Sequence, residues 1–486
     1  MKIDRANRNY LVVFCIAIPV QLIVFKWLYP FADFFTDSFS YIYAAAHHMD
    51  VNMWPIGYSK FLLWFHAITS SDTAVVAFQY LLVELSALYF FITLRSFIPI
   101  SGIVANVLFC FLFLNPLLLY LCNYISSDAI FLALSLLWLT ELLWTMVRPT
   151  KRHLLFQAVL LVLAFTVRYN ALYYPLITGF ALIASPQKNG RKWAWFFFTL
   201  ALVGSFVLFT RQKMAETTGV RQFSSFSGWQ LANNALYMYT DIQVDTNALP
   251  DEMRPLDRYV RQYFSKVDPE QRDMGPRDGA WYIKVPWSPL HVYASEYQYK
   301  HHIDMNLVAF SQVAPLLSRY SGSLIRSHPG AYTTHFILPN AGVYFFPPLE
   351  KLEVYNMGKD TVREGAREWF GYRSIQVKSF DPEFQGHLLG SYPIFFLLFN
   401  VAMAAALVTF FVRGWHRSVN GSYRLAVLLL GFYWLVNMGF SILASPVVFR
   451  YQVLPMIVCL VTGLAVAERL LAEMEKQKAP SSVVPQ

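Results

Sequence analysis

The chain has 486 residues, 56% of them hydrophobic and only 14% charged, a balance that excludes a soluble protein of this size. Its net charge of +9 is spread over short turns between apolar runs. It therefore reports orientation in a membrane and excludes nucleic acid as a partner.

Stretches able to cross about 30 Å of hydrocarbon, roughly 20 residues each, are expected near residues 10–29, 73–95, 100–121, 127–147, 153–167, 169–184, 193–210, 389–412, 423–444 and 447–467. The fold class is thus an all-α polytopic membrane protein of about ten helices. The pair on either side of Arg168 is short enough for two tilted helices or one broken one. The first helix is expected to stay as an anchor, because Ala44-Ala45-Ala46 lies too far downstream of it to be a cleavage site. With the amino terminus inside, Arg95, Arg148, Lys151, Lys192, Arg413, Arg424 and their basic neighbours fall on inner turns, as the positive-inside rule requires. Four units follow: an N-terminal membrane module (1–210), a charge-balanced outer segment (211–388), C-terminal membrane helices (389–472) and a cytoplasmic tail (473–486), disordered from residue 479.

The first outer loop, 30–72, carries the strongest functional signal. It opens with Asp33 and with Asp37 in Phe34-Phe35-Thr36-Asp37-Ser38-Phe39-Ser40-Tyr41. An ionisable group at the membrane surface beside an apolar run is costly and more often functional than decorative. Two apolar pieces follow, too short to span and crowded with aromatics, which predicts helices lying in the interface as a lid. His47 and His48 point different ways on a helix and lack partners, and the four cysteines have no zinc spacing. No metal or other cofactor is expected.

Outside the loop, Ser126-Ser127-Asp128-Ala129-Ile130-Phe131, Val167-Arg168-Tyr169-Asn170 and Phe449-Arg450-Tyr451 with Pro455 put charged residues at helix ends that the topology gathers on the outer face. Together with Asp37, the Ser38-to-Ala45 stretch and Pro55-Ile56-Gly57-Tyr58, these motifs resemble the GT-C superfamily of polyprenyl-phosphate-sugar-dependent glycosyltransferases. That superfamily includes protein O-mannosyltransferases and aminoarabinose transferases. The resemblance covers residues 1–210 and 389–470. It departs at Ser38, where some relatives carry a second acidic residue, which leaves Asp33 as an alternative to Asp37.

The resemblance implies an inverting transfer, in a bacterial inner membrane, from a polyprenyl-phosphate sugar to a glycan, lipid or protein acceptor, with the site facing the periplasm. Asp37 is the expected base, with Asp33 beside it, since a carboxylate can take the proton of an acceptor hydroxyl. Arg168 and Arg450 are the expected phosphate ligands, because a guanidinium binds phosphate through two hydrogen bonds. Tyr41, Tyr58, Lys60, Asp128, Asn170 and Tyr451 are the expected substrate contacts. Each has a plainer reading: Asp37 and Asp128 as helix caps, the arginines as snorkelling anchors. Glu84 is expected to bond another helix. Alternatives for the whole chain are a lipid-linked-sugar flippase, which would want midplane polar groups and repeated halves, and an O-antigen ligase or polymerase.

In the outer segment, Leu307, Phe310, Val313, Ala314, Leu317 and Leu324 fall near one face of a predicted helix over 306–326. The apolar stretch 332–346, broken by Pro339, Asn340 and Gly342, predicts a surface or re-entrant excursion.

Overall fold

A computed structural model describes residues 5–478; the tail of 479–486, expected to be disordered, lies outside the described residues. The regular structure is helical, with two isolated β-bridges, Asp33–Tyr124 and Thr361–Gln376, among the described residues. The helices that matter below are α1 (Arg5–Leu28), α2 (Thr36–Ala46), α3 (Gly57–His66), α4 (Asp72–Phe97), α5 (Gly102–Phe113), α6 (Pro116–Asn123), α7 (Ser127–Val147), α8 (Lys151–Val167), α9 (Tyr174–Ala184), α10 (Asn189–Thr218), α11 (Phe226–Leu236), α12 (Asn306–Ser327), α13 (Tyr392–Val412), α14 (Gly421–Ala444) and α15 (Val453–Lys478). Among the described residues, eight spans are long and apolar enough to cross a membrane, with α5 and α6 counted as one.

The difference from ten lies at α8 and α9. With 17 and 11 residues, they rise about 26 and 16 Å, less than the eight, although α8 still runs from the Glu141–His153 pair at one end of the bundle to the Asp128–Arg168 pair at the other. Arg168 between them is extended, a 3₁₀ turn over Tyr169–Tyr173 follows, and Pro175 sits in the first turn of α9. The chain thus breaks and restarts at Arg168. A milder break separates α5 from α6, where Pro116 has no N–H to give and Asn115 caps the new helix by accepting from the Leu117 N–H at 2.9 Å.

Polar contacts tie the two ends of the bundle. At one end Arg95 donates to Asn7, the Ser101 N–H donates to Glu468 at 2.6 Å, and His153 meets Glu141 at 2.6 Å. At the other, Asp33 exchanges backbone bonds with Asn123 and Ile125. Glu84 is buried in α4, and its Oε2 has no hydrogen-bond partner among the described residues.

Two apolar cores divide the chain. One runs through the membrane helices and takes in Val343, Tyr344, Leu349, Leu352, Tyr355 and Phe370 from the central segment. The other lies within the central segment, from Trp229 to Phe336. There α12 buries the face its spacing predicts: Leu307, Phe310, Val313, Ala314, Leu317 and Leu324. The close fit of α11 on α12 needs Gly228, since a Cβ there would stand 2.2 Å from the Ala314 carbonyl oxygen. The stretch 332–346 continues a helix from Pro329 through a π-turn at Thr333–Ile337 to Phe345. It is anchored by Asn340, whose amide donates to the Ile442 and Ser445 carbonyls at 2.8 Å and accepts from the Val447 N–H. Those bonds satisfy orphan carbonyls at the end of α14.

The chain after Phe346 then folds back over the start of the membrane module. The Tyr355 hydroxyl donates to the Ala32 carbonyl at 3.0 Å, the Asn356 N–H to Asp33 at 2.8 Å, and the Phe449 N–H to the Pro348 carbonyl at 3.0 Å. These three bonds bring residues 347–356 onto the bundle end where the charged motifs meet.

Candidate active site

Asp37 sits in the first turn of α2. The cap bond there is made by Ser38, whose hydroxyl accepts from the Phe35 N–H at 3.1 Å, so Asp37 is not the cap. Its carboxylate instead lies 3.3 Å from the Lys351 ammonium and 3.9 Å from the Arg450 guanidinium. The side chain keeps 18% of its surface exposed, enough for a small group to reach it.

Asp128 bridges the two arginines. One carboxylate oxygen takes Arg168, and the other takes Arg450 at 2.9 Å and the Ser126 hydroxyl at 2.6 Å. Capping of α7 falls to Ser126, which accepts from the Asp128 N–H. Arg450 also donates to the Tyr451 hydroxyl at 2.6 Å, and the Arg168 guanidinium lies 4.1 Å from the centre of the Tyr451 ring. Snorkelling anchors keep their heads in water; these two side chains are only 11% and 7% exposed and turn inward onto one carboxylate.

Three further charges come from the central segment. Glu350, in the left-handed region at φ 56°, pairs with Lys284 and stands 3.5 Å from the Arg450 Nε. Burial pushes its carboxyl up, but the surrounding Arg450, Lys284 and Lys351 charges outweigh that and hold it down at about 2. Burial pulls the next residue, Lys351, down to about 8 against the opposing effect of Asp37. Its ammonium lies 3.9 Å from the centre of the Phe35 ring, a cation–π contact. The cluster therefore joins four cations, Lys284, Lys351, Arg168 and Arg450, to three carboxylates, Asp37, Asp128 and Glu350. It is left with one positive charge in excess.

Asp128, Arg168 and Arg450 line one end of a narrow cleft with a cavity volume of about 40 Å³. Beyond Asp128 and the two arginines its walls are Asn170 and Tyr173 before α9, and Tyr433, Asn437 and Phe440 on α14. The wall is fixed in part by Asn437, which donates to the Tyr173 hydroxyl at 2.9 Å.

The other expected residues divide. Tyr41 bonds Ser127 at 3.1 Å, one residue from Asp128. Tyr58 lies behind it, ring against ring at 4.9 Å, with its hydroxyl donating to Gln79 at 2.8 Å. Tyr58 thus supports Tyr41 and offers no surface to a ligand. Lys60 pairs with Asp50 at 3.0 Å on the surface, away from the cluster. Asp33 is turned away from Asp37, buried, and accepts the Asn356 N–H. Burial pushes its carboxyl up to about 8 despite that bond, which favours the protonated form at neutral pH. His47 bonds its own helix at the Tyr43 carbonyl.

Gly57 explains the Pro-Ile-Gly-Tyr motif in steric terms. A Cβ there would stand 2.6 Å from the Thr166 carbonyl oxygen, two residues before Arg168, so α3 rests directly on the end of α8. Gly57→Ala is expected to cost about 1–3 kcal/mol through overpacking and to lower the thermal unfolding midpoint in detergent. An unchanged midpoint would show that the contact yields freely.

Comparison with known proteins returns no match among family models, curated proteins or solved structures.

Proposed function

We propose that the protein is a membrane glycosyltransferase that moves a sugar from a polyprenyl-phosphate donor to an acceptor hydroxyl, at the outer face of a bacterial inner membrane. The donor's phosphate meets Arg168 and Arg450, its lipid runs out into the membrane, and the sugar reaches towards Asp37. Asp37 takes the acceptor proton as the acceptor oxygen attacks C1. The C1–O bond to phosphate breaks, its electron pair leaves with the phosphate, and the guanidinium groups meet the charge that builds there. The anomeric centre inverts in this single displacement.

The observation that carries this reading is the partly exposed Asp37 carboxylate beside the buried Arg450, which Asp128 joins to Arg168, in a cluster with excess positive charge. A base and an anion site side by side are what the transfer needs. The test is incubation of purified protein with a panel of radiolabelled polyprenyl-phosphate sugars. Release of polyprenyl phosphate with label moving to an acceptor is expected for one donor; no turnover with any would sink the proposal.

The orientation has its own test. Cysteines placed at Asn189 and Asn420 are expected to be shielded from impermeant thiol reagents in intact cells, while one at Gly275 labels. The reverse pattern would put the cluster on the cytoplasmic side and favour a nucleotide-sugar donor.

A further inference from the structure

In the site as it stands, the base is not free. Asp37 is held by Lys351 at 3.3 Å and faces Arg450 at 3.9 Å, so the carboxylate oxygen that would meet an acceptor hydroxyl is already occupied by the Lys351 ammonium. Lys351 differs from the arginines in how it is held. Its backbone is fixed, because the Tyr124 hydroxyl donates to its carbonyl, whereas its ammonium ends a flexible four-carbon stem. Asp37 is its only carboxylate partner within ion-pair distance among the described residues.

Charge counting over the proposed reaction gives Lys351 a part. The cluster carries +1, and a polyprenyl-phosphate sugar is a phosphodiester of charge −1, so their complex is neutral. After transfer Asp37 holds the acceptor proton and the cluster carries +2, while the released phosphate monoester approaches −2. The sum is again zero. Removing Lys351 leaves about one uncompensated negative charge at both stages, in a site where buried unpaired charge is costly.

Resting on the transferase reading above, we propose that Lys351 is a phosphate-contacting residue that exchanges Asp37 for the donor's phosphate, so that donor binding frees the base. The base is then active only when the lipid head is in place. The shared ligand chemistry is a phosphate oxyanion, and the exchange makes Asp37 and phosphate competitors for one ammonium.

The competition is measured by binding undecaprenyl phosphate in detergent micelles, and inorganic phosphate separately, to the native protein and to variants that keep the native unfolding midpoint. Lys351→Met is expected to bind the lipid at least tenfold more weakly, and Lys351→Arg to recover most of the loss. Lys351→Gln is read instead if the Met variant fails to fold. Asp37→Asn is expected to bind the lipid several-fold more tightly than the native protein, because it releases the ammonium. That gain should vanish in the Asp37→Asn, Lys351→Met double variant. Native-like binding by Lys351→Met, or a gain that survives in the double variant, overturns the inference and leaves the transferase reading standing. A native protein that binds no lipid phosphate, or binds inorganic phosphate equally well, overturns both.

Discussion

Asp37→Asn is expected to lower turnover at least about a hundredfold, the usual scale for losing a general base, with folding retained and lipid binding no weaker than native. The amide matches the carboxylate in shape but cannot take a proton. The cations it leaves keep other partners: Arg450 still has Asp128 and Glu350, and Lys351 remains over the Phe35 ring. The comparison that gives the result meaning is Asp33→Asn. The Asp33 carboxyl, pushed up to about 8 by burial, already favours the protonated form at neutral pH, and an amide oxygen can still accept the Asn356 N–H. Near-native turnover is expected there. Both are read from polyprenyl phosphate released under saturating donor. The opposite pattern, a live Asp37→Asn with a dead Asp33→Asn, would move the base four residues upstream; full activity in both would end the proposed mechanism.

That contrast also marks how far the sequence could be read. Hydropathy locates the membrane helices because each must satisfy its own backbone in hydrocarbon, which leaves a long apolar run as its trace. It counts ten runs where eight spans among the described residues are long enough by themselves, the difference being the apolar region that Arg168 and Pro175 divide into two short helices. Asp37, Asp128, Arg168, Arg450 and Tyr451 were legible as candidates because each is a charged or aromatic residue at the end of such a run, and these five meet in one cluster. Lys60 is claimed by Asp50 only ten residues earlier, a local pairing that hydropathy does not reveal. Glu350 and Lys351 were missed because the bonds that deliver them join distant segments, such as Asn356 to Asp33 across 323 residues. Their one local sign was an adjacent acid and base directly after Pro347-Pro348 and Leu349, closing an apolar stretch. Lys284, from the part of the chain built on the second core, left no sign of its own.

Replacing either arginine by lysine keeps the charge and should still weaken transfer tenfold or more, because an ammonium loses the planar fork. The geometry makes the case stronger for Arg450. Its guanidinium bonds Asp128 at 2.9 Å and Tyr451 at 2.6 Å while facing Glu350 at 3.5 Å and Asp37 at 3.9 Å, and one lysine nitrogen cannot reach all four directions. Arg168 and Arg450 share the Asp128 carboxylate, so the two heads already lie within reach of a single phosphate. The loss should fall more on turnover than on donor affinity, since the charge the forks meet grows as the C1–O bond breaks. Arg450→Leu is the wrong probe, because it removes a buried cation that Asp37, Asp128 and Glu350 share and so disturbs the stability of the cluster together with its chemistry. Single-turnover rates and donor binding, measured on Arg168→Lys and Arg450→Lys of native unfolding midpoint, separate the possibilities. Equal losses in binding and rate would mean that the arginines hold the ground-state phosphate and nothing more. Native rates in both would reduce them to structural partners of Asp128, and would leave the leaving phosphate to Lys351 and Lys284 alone.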